Sequence, residues 1–176
     1  MDLFEETIGR QDIFKGRVFD IHRDAVRLPD GSMSFREVVE HCGGVCIAAV
    51  DNERNIYLVE QYRYPFGEVT LEVAAGRLEK DEDPCAAAAR ELSEETGITA
   101  KDIKKIGTFY SSPGFLNEKL HLYLATELSF GRQHPDEGEF LRMVKLPLED
   151  AVGKVLSDDI VDGKTKTLVL LADRLV

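Results

Sequence analysis

Glu91, Glu94 and Glu95 carry the clearest chemistry in this 176-residue chain. Glu91 and Glu95 are four apart, so on a helix they share a face, and Glu94 lies beside them. Carboxylates crowded together repel one another and gain nothing as a bare surface. They become useful when a hard divalent cation sits among them, because Mg²⁺ takes oxygen ligands. A run of glutamates alone is more often a solvated acidic face, so the elements around them must decide.

Those elements are legible. Pro84 suits a first helical turn, where its missing N–H has no intrahelical partner, and Asp83 before it is a ready N-cap. Gly97 supplies the C-terminal stop. Between them Cys85, Ala88, Leu92 and Thr96 recur at helical spacing and give a narrow apolar stripe, with Glu95 expected as a solvent-facing ligand. Val69 to Ala75 reads as a strand delivering the chain to this stretch, and Ala75 and Gly76 are small enough for phosphates to approach the backbone. Arg90 can pair with Glu94 at i,i+4, and Glu82 can brace the loop against it.

Gly76 to Ile98 resembles the signature of the Nudix hydrolase family, with Gly76, Glu82, Arg90, Glu91, Leu92, Glu94, Glu95, Gly97 and Ile98 at its fixed positions. The resemblance implies an α/β (α+β) fold with a mixed sheet between helices. It also implies Mg²⁺, with Mn²⁺ as a substitute, two or more ions per site. The ligands would be Glu91, Glu94 and Glu95 with the backbone carbonyl of Ala75, while Gly76, Glu82, Arg90 and Gly97 shape the scaffold.

The rest of the chain is consistent with that architecture. Residues 1–12 are polar and expected to be lightly ordered. Lys15 to His41 reads as an antiparallel hairpin turning at Pro29-Asp-Gly-Ser32, and Gly43 to Val50 with Ile56 to Tyr64 as a central hairpin. Strands follow at Lys104–Tyr110, Lys119–Leu128 and Glu139–Lys145, then helices at Pro147–Leu156 and Lys164–Val176. Residues 1–42 are therefore taken as an N-terminal β extension and 43–176 as the catalytic domain. A net charge of −11 argues against a nucleic-acid or membrane-surface binder. Cys42, Cys46 and Cys85 show no metal spacing and read as small buried hydrophobes in a reducing compartment. No signal-peptide pattern or long apolar run is present, so a cytoplasmic protein is expected.

A carboxylate that ligates metal is a poor proton acceptor, so a base must come from elsewhere. The loop His134-Pro-Asp-Glu-Gly-Glu139 offers Asp136, Glu137 and Glu139. Here the chain resembles the ADP-ribose pyrophosphatases of the Nudix family, which makes Glu137 the base and Glu139 a further metal ligand, an order that can be exchanged. Pro113 and the segment Ser111–Glu118 are similar to a loop of the same subfamily, and imply that Ser112 and Glu118 contact substrate. Arg63 matches an arginine that holds phosphate, and Arg36 with Glu37 a substrate-contacting pair; His41 stands where some relatives carry arginine. The resemblance further implies a homodimer built through the N-terminal strands. The expected reaction is cleavage of ADP-ribose to AMP and ribose 5-phosphate. The alternatives are another diphosphate substrate (GDP-mannose, another nucleotide sugar or an oxidised nucleoside triphosphate) or a nucleotide-binding regulator without catalysis.

Overall fold

The computed structural model describes residues 2–176. The chain divides into two units, one taking in the sequence up to Gly43 together with Tyr110–Lys119, the other Gly44–Phe109 with Leu120–Val176.

The first unit is a three-stranded antiparallel sheet of β1 (Glu6–Lys15), β2 (Phe19–Arg27) and β3 (Met33–His41), in that spatial order. The β2–β3 hairpin runs in register from Phe19 opposite His41 to Arg27 opposite Met33. Its turn is closed by the Gly31 N–H donating to the Leu28 carbonyl at 2.9 Å, and Gly31 has a φ of 86°, which a glycine adopts without strain. β1 corrects the expectation of a lightly ordered N-terminus. Its sequence shows no alternation because all ten residues are exposed, and pairing with β2 defines the strand. On β2 the buried side is His22, Asp24 and Val26, with Asp24 accepting from Arg10 at 3.0 Å and lying 3.1 Å from His22 Nδ1. The segment around Leu116 joins this unit by bridging to Val39.

The second unit is built on a seven-stranded mixed sheet. Its strands are β4 (Gly44–Val50), β5 (Asn55–Arg63), β6 (Glu68–Glu72), β7 (Ala74–Arg77), β8 (Ile98–Tyr110), β9 (Lys119–Phe130) and β10 (Leu141–Pro147). The order is β10-β5-β4-β9-β8, with β6 on β5 and β7 on β4. The strand expected over Val69–Ala75 is thus two short strands, and β8 begins directly after Gly97. β4 lies parallel to β9, and all seven of its residues are buried, as a strand covered on both faces must be.

Alternate side chains of β4 enter different cores. Cys46, Ala48 and Val50 pack with Leu58, Leu122 and Leu124 against α2 (Leu148–Leu156) and α3 (Gly163–Leu175). Val45, Ile47 and Ala49 pack with Tyr57 and Tyr123 against Ala87, Ala88 and Leu92 of α1 (Pro84–Thr96). The sheet is therefore sandwiched between α1 and the two C-terminal helices. Cys46 is buried as expected, but Cys42 is exposed, because it follows the last residue of β3 and has no sheet to cover it. No helix among the described residues is long and apolar enough to cross a membrane.

Candidate active site

α1 is placed by its ends. Asp83 accepts hydrogen bonds from the N–H groups of Cys85 and Ala86 at 3.0 Å each, Pro84 opens the helix, and Gly97 ends it with a φ of 71°. A Cβ at Gly97 would lie 2.7 Å from backbone atoms of Arg132 and Gln133, so close packing of the following loop also requires glycine there. Alanine 87 and alanine 88, both fully buried, let the helix lie close to the sheet.

Arg90 gathers the acidic residues on the near side. Its Nε and Nη2 donate to the two carboxylate oxygens of Glu82 at 2.9 and 3.0 Å, and its Nη1 to Glu91 at 2.7 Å and Glu94 at 2.9 Å. Glu82 also accepts from the Glu79 N–H at 3.0 Å, which fixes the loop before the helix. The expected brace is present, and it reaches Glu91 as well.

Glu91 and Glu95 face β7. An added Cβ at Gly76 would sit 1.9 Å from the Glu91 carboxyl, so only glycine admits that side chain at this point. Glu95 accepts from the Ala75 N–H at 3.1 Å and is only 4% exposed, which corrects its expected solvent-facing position. The sequence hid this because the burial depends on the register of β7 against β4, where Ala75 pairs with Cys46.

Burial drives the electrostatics. It pushes the Glu95 carboxyl up to about 8; the Ala75 N–H and Arg63 oppose the shift, and the nearby charges of Glu91 and Glu139 add to it. Burial also raises Glu91, which Arg90 pulls back and the charges of Glu94 and Glu139 push up again. Glu91, Glu95 and Glu139 are thus close enough to repel one another.

The loop bearing Glu139 is held to the end of α1. The Gly131 N–H donates to the Gly97 carbonyl at 2.8 Å, the His134 N–H to that of Glu94 at 3.0 Å, and Gln133 Nε2 to that of Glu95 at 2.6 Å. Gln133 is a residue that sequence reasoning missed, and nothing in its surroundings marks it. The tip is a turn closed by the Glu139 N–H on the Asp136 carbonyl at 3.0 Å, and Glu137 stands exposed on it.

Among the described residues no three His, Cys, Asp or Glu side chains converge at ligating distance. The donor set nevertheless fits a hard divalent cation. Its atoms are oxygens, burial and mutual repulsion push Glu91 and Glu95 toward protonation, and the missing side chain of Gly76 leaves the Glu91 carboxyl room against β7.

The remaining candidates fall in both units. Arg63, at the end of β5, donates through Nε and Nη2 to Glu72 at 2.7 and 2.6 Å. In the first unit Arg36 donates to Glu5 at 2.6 Å, and Arg36 and Glu37, being consecutive on β3, point to opposite faces of their sheet. Glu118 accepts from the hydroxyl of Ser111 at 2.5 Å, whereas Ser112 uses its carbonyl to close the turn to Phe115 and Leu116.

The NUDIX domain matches residues 40–169, and the nucleoside diphosphate sugar hydrolase N-terminal domain matches residues 5–39. The chain is 46% identical over 165 residues to an ADP-ribose pyrophosphatase of Bacillus subtilis (strain 168), covering 93% of this chain and 89% of the relative. It is 44% identical over 166 residues to a methanol dehydrogenase activator of Bacillus methanolicus, covering 93% and 90%. Among solved structures an ADP compounds hydrolase superposes with a TM-score of 0.86 at 20% identity, covering 99% of this chain and 96% of that one. The likeness takes in every residue of the Gly76–Ile98 stretch that builds the carboxylate cluster, and the chain belongs to the Nudix hydrolase family.

Proposed function

We propose that this enzyme hydrolyses the diphosphate of a nucleoside diphosphate sugar, ADP-ribose foremost, giving AMP and ribose 5-phosphate. The single observation behind the substrate is the 46% identity, over nearly the whole chain, to a relative named for ADP-ribose. Mg²⁺, in two or more ions and replaceable by Mn²⁺, fits the oxygen donors of Glu91, Glu95 and Glu139, with Glu94 and the Ala75 carbonyl completing the set. Bound cations would neutralise the diphosphate and lower the pKa of the attacking water.

The chain's own groups then divide the work. Gly76 lets the diphosphate approach the strand end. Arg90 and Glu82 hold Glu91 and Glu94 in place, and Arg63 binds a phosphate oxygen. Glu137, carried on the loop tip, accepts the proton of the water as it attacks phosphorus, and the departing phosphate oxygen keeps the electron pair of the broken bond. Glu139 can exchange roles with Glu137. Ser112 and Glu118 suit the ribose hydroxyls, and Arg36 and Glu37 the nucleoside end. The working form is a cytoplasmic homodimer joined through β1–β3, whose exposed Ile8, Ile13, Phe14, Met33 and Phe35 supply apolar area for a second copy.

Steady-state kinetics on ADP-ribose, GDP-mannose, other ADP-sugars and 8-oxo-dGTP with Mg²⁺ tests this. The highest kcat/KM is expected for ADP-ribose. A higher value for GDP-mannose would keep the chemistry and move the substrate. Nucleotide binding without turnover of any of them would instead favour a regulatory role, the reading to which the likeness to a dehydrogenase activator lends weight.

A further inference from the structure

We propose that Glu72 is a positioning residue for the diphosphate site: it fixes the guanidinium of Arg63 so that Nη1 is presented to a phosphate oxygen. The inference rests on the reading of Arg63 as a phosphate ligand. Arg63 donates to Glu72 through Nε at 2.7 Å and Nη2 at 2.6 Å, a side-on fork that sets the plane of the group. Nη1 has no partner among the described residues. The Arg63 side chain is 38% exposed while that of Glu72 is 3% exposed, so the carboxylate is anchored inside and the guanidinium faces out.

The anchor is itself held from two elements. Thr70 on β6 donates its hydroxyl to Glu72 at 2.6 Å, and the ammonium of Lys164, in the first turn of α3, reaches the other carboxylate oxygen. Lys164 is steadied by Asp162 at 2.9 Å, and Asp162 caps α3 by accepting the Thr165 N–H at 2.9 Å. Burial alone would raise Glu72, but Arg63, Lys164 and Thr70 overcome it and hold the group at about 2, so Glu72 stays ionised. With Phe66, Thr70 and Val161, Arg63 lines a pocket of about 320 Å³. Arg63 and Glu95 are also near enough for their charges to interact.

A buried ion network is a poor way to gain stability alone, since apolar residues of similar volume do as well. Presenting a donor is a better account of it. An arginine held in its binding geometry gives up no further rotamer freedom when the phosphate arrives.

The test is a double-mutant cycle on steady-state kinetics with ADP-ribose and Mg²⁺, using Glu72→Gln, Arg63→Gln and the pair. Glutamine offers one acceptor and turns an NH₂ toward Nη2, which breaks the fork. Glu72→Gln is expected to raise KM about tenfold and to change kcat by less than about threefold. In the Arg63→Gln background it is expected to add nothing. Lys164→Met should give a smaller rise in KM that also vanishes in that background, and it carries the cycle if Glu72→Gln does not fold. An unchanged KM in Glu72→Gln, or a rise that persists in full without Arg63, overturns the proposal while the phosphate reading stands. An unchanged KM in Arg63→Gln overturns both. Preference for another diphosphate moves only the substrate, because the cycle runs equally on whichever one is hydrolysed.

Discussion

The Ala75 N–H donates to Glu95 at 3.1 Å, joining the last strand before the signature loop to the last turn of the catalytic helix. The bond draws a carboxylate into the protein where burial and its neighbours push its pKa to about 8.

That shift has a sign in stability. A carboxyl raised from 4.5 to about 8 keeps its proton in the folded chain while the unfolded chain has lost it. Without divalent metal, Glu95 therefore lowers stability progressively as pH rises from about 4.5 to 8, and adds no further change above that range. Thermal melts in EDTA should show this loss between pH 5 and pH 8 and its reduction in Glu95→Gln. Mg²⁺ should restore the melting temperature at pH 8, and calorimetry at pH 7 in buffers of different ionisation heat should detect a released proton. Glu95→Gln should also lower kcat/KM by about 100-fold or more; near-normal activity would remove Glu95 from the metal site.

Gly76→Ala tests the approach to Glu91. The new methyl would lie 1.9 Å from its carboxyl, so the side chain must swing away or β7 must move. A displacement on the order of 1 Å at a reacting centre costs about 100-fold in rate, and kcat/KM should fall by that order with a folded circular dichroism spectrum. A variant with wild-type kinetics would mean that Glu91 has no fixed task.

Arg90→Ala removes the ties to Glu82, Glu91 and Glu94 together. Breaking such a part-buried network should cost about 1–3 kcal/mol in urea unfolding and raise the Mg²⁺ concentration needed for half-maximal activity. An unchanged metal requirement would reduce Arg90 to a surface charge.

Phe35→Asp places a charge on the exposed face of the N-terminal sheet, where Arg23 already lies 3.9 Å over the Phe35 ring. With β1–β3 as the proposed subunit contact, sedimentation velocity should show wild type as a dimer and the variant shifted toward monomer. A dimer of unchanged affinity would place the subunit contact elsewhere.

What the sequence made legible was local. Asp83, Pro84 and Gly97 mark the helix because capping acts over three or four residues, and Arg90 meets Glu94 because one helical turn separates them. The burial of Glu95 depends on strand register and could not be read along the chain. Nor could the bond between Lys164 and Glu72, which are 92 residues apart in sequence. Gln133 was missed because its task is to donate to a helix-end carbonyl, which any amide side chain could do. β1 was missed because its ten exposed residues carry no hydrophobic rhythm, and its partner strand supplies the order.

The bonds from Gly131, Gln133 and His134 to the end of α1 make the loop a tether clamped on one side, while β10 resumes at Leu141 on the other. Only residues 135–140 lie between, a contour of about 20 Å. If Glu137 is the base, as proposed, it searches a small volume, and its effective concentration at the attacking water is set by loop length as much as by side-chain chemistry. Inserting glycines after Gly138 would dilute the base without removing it, and the rate would fall smoothly with each added residue, following the statistics of a closed chain.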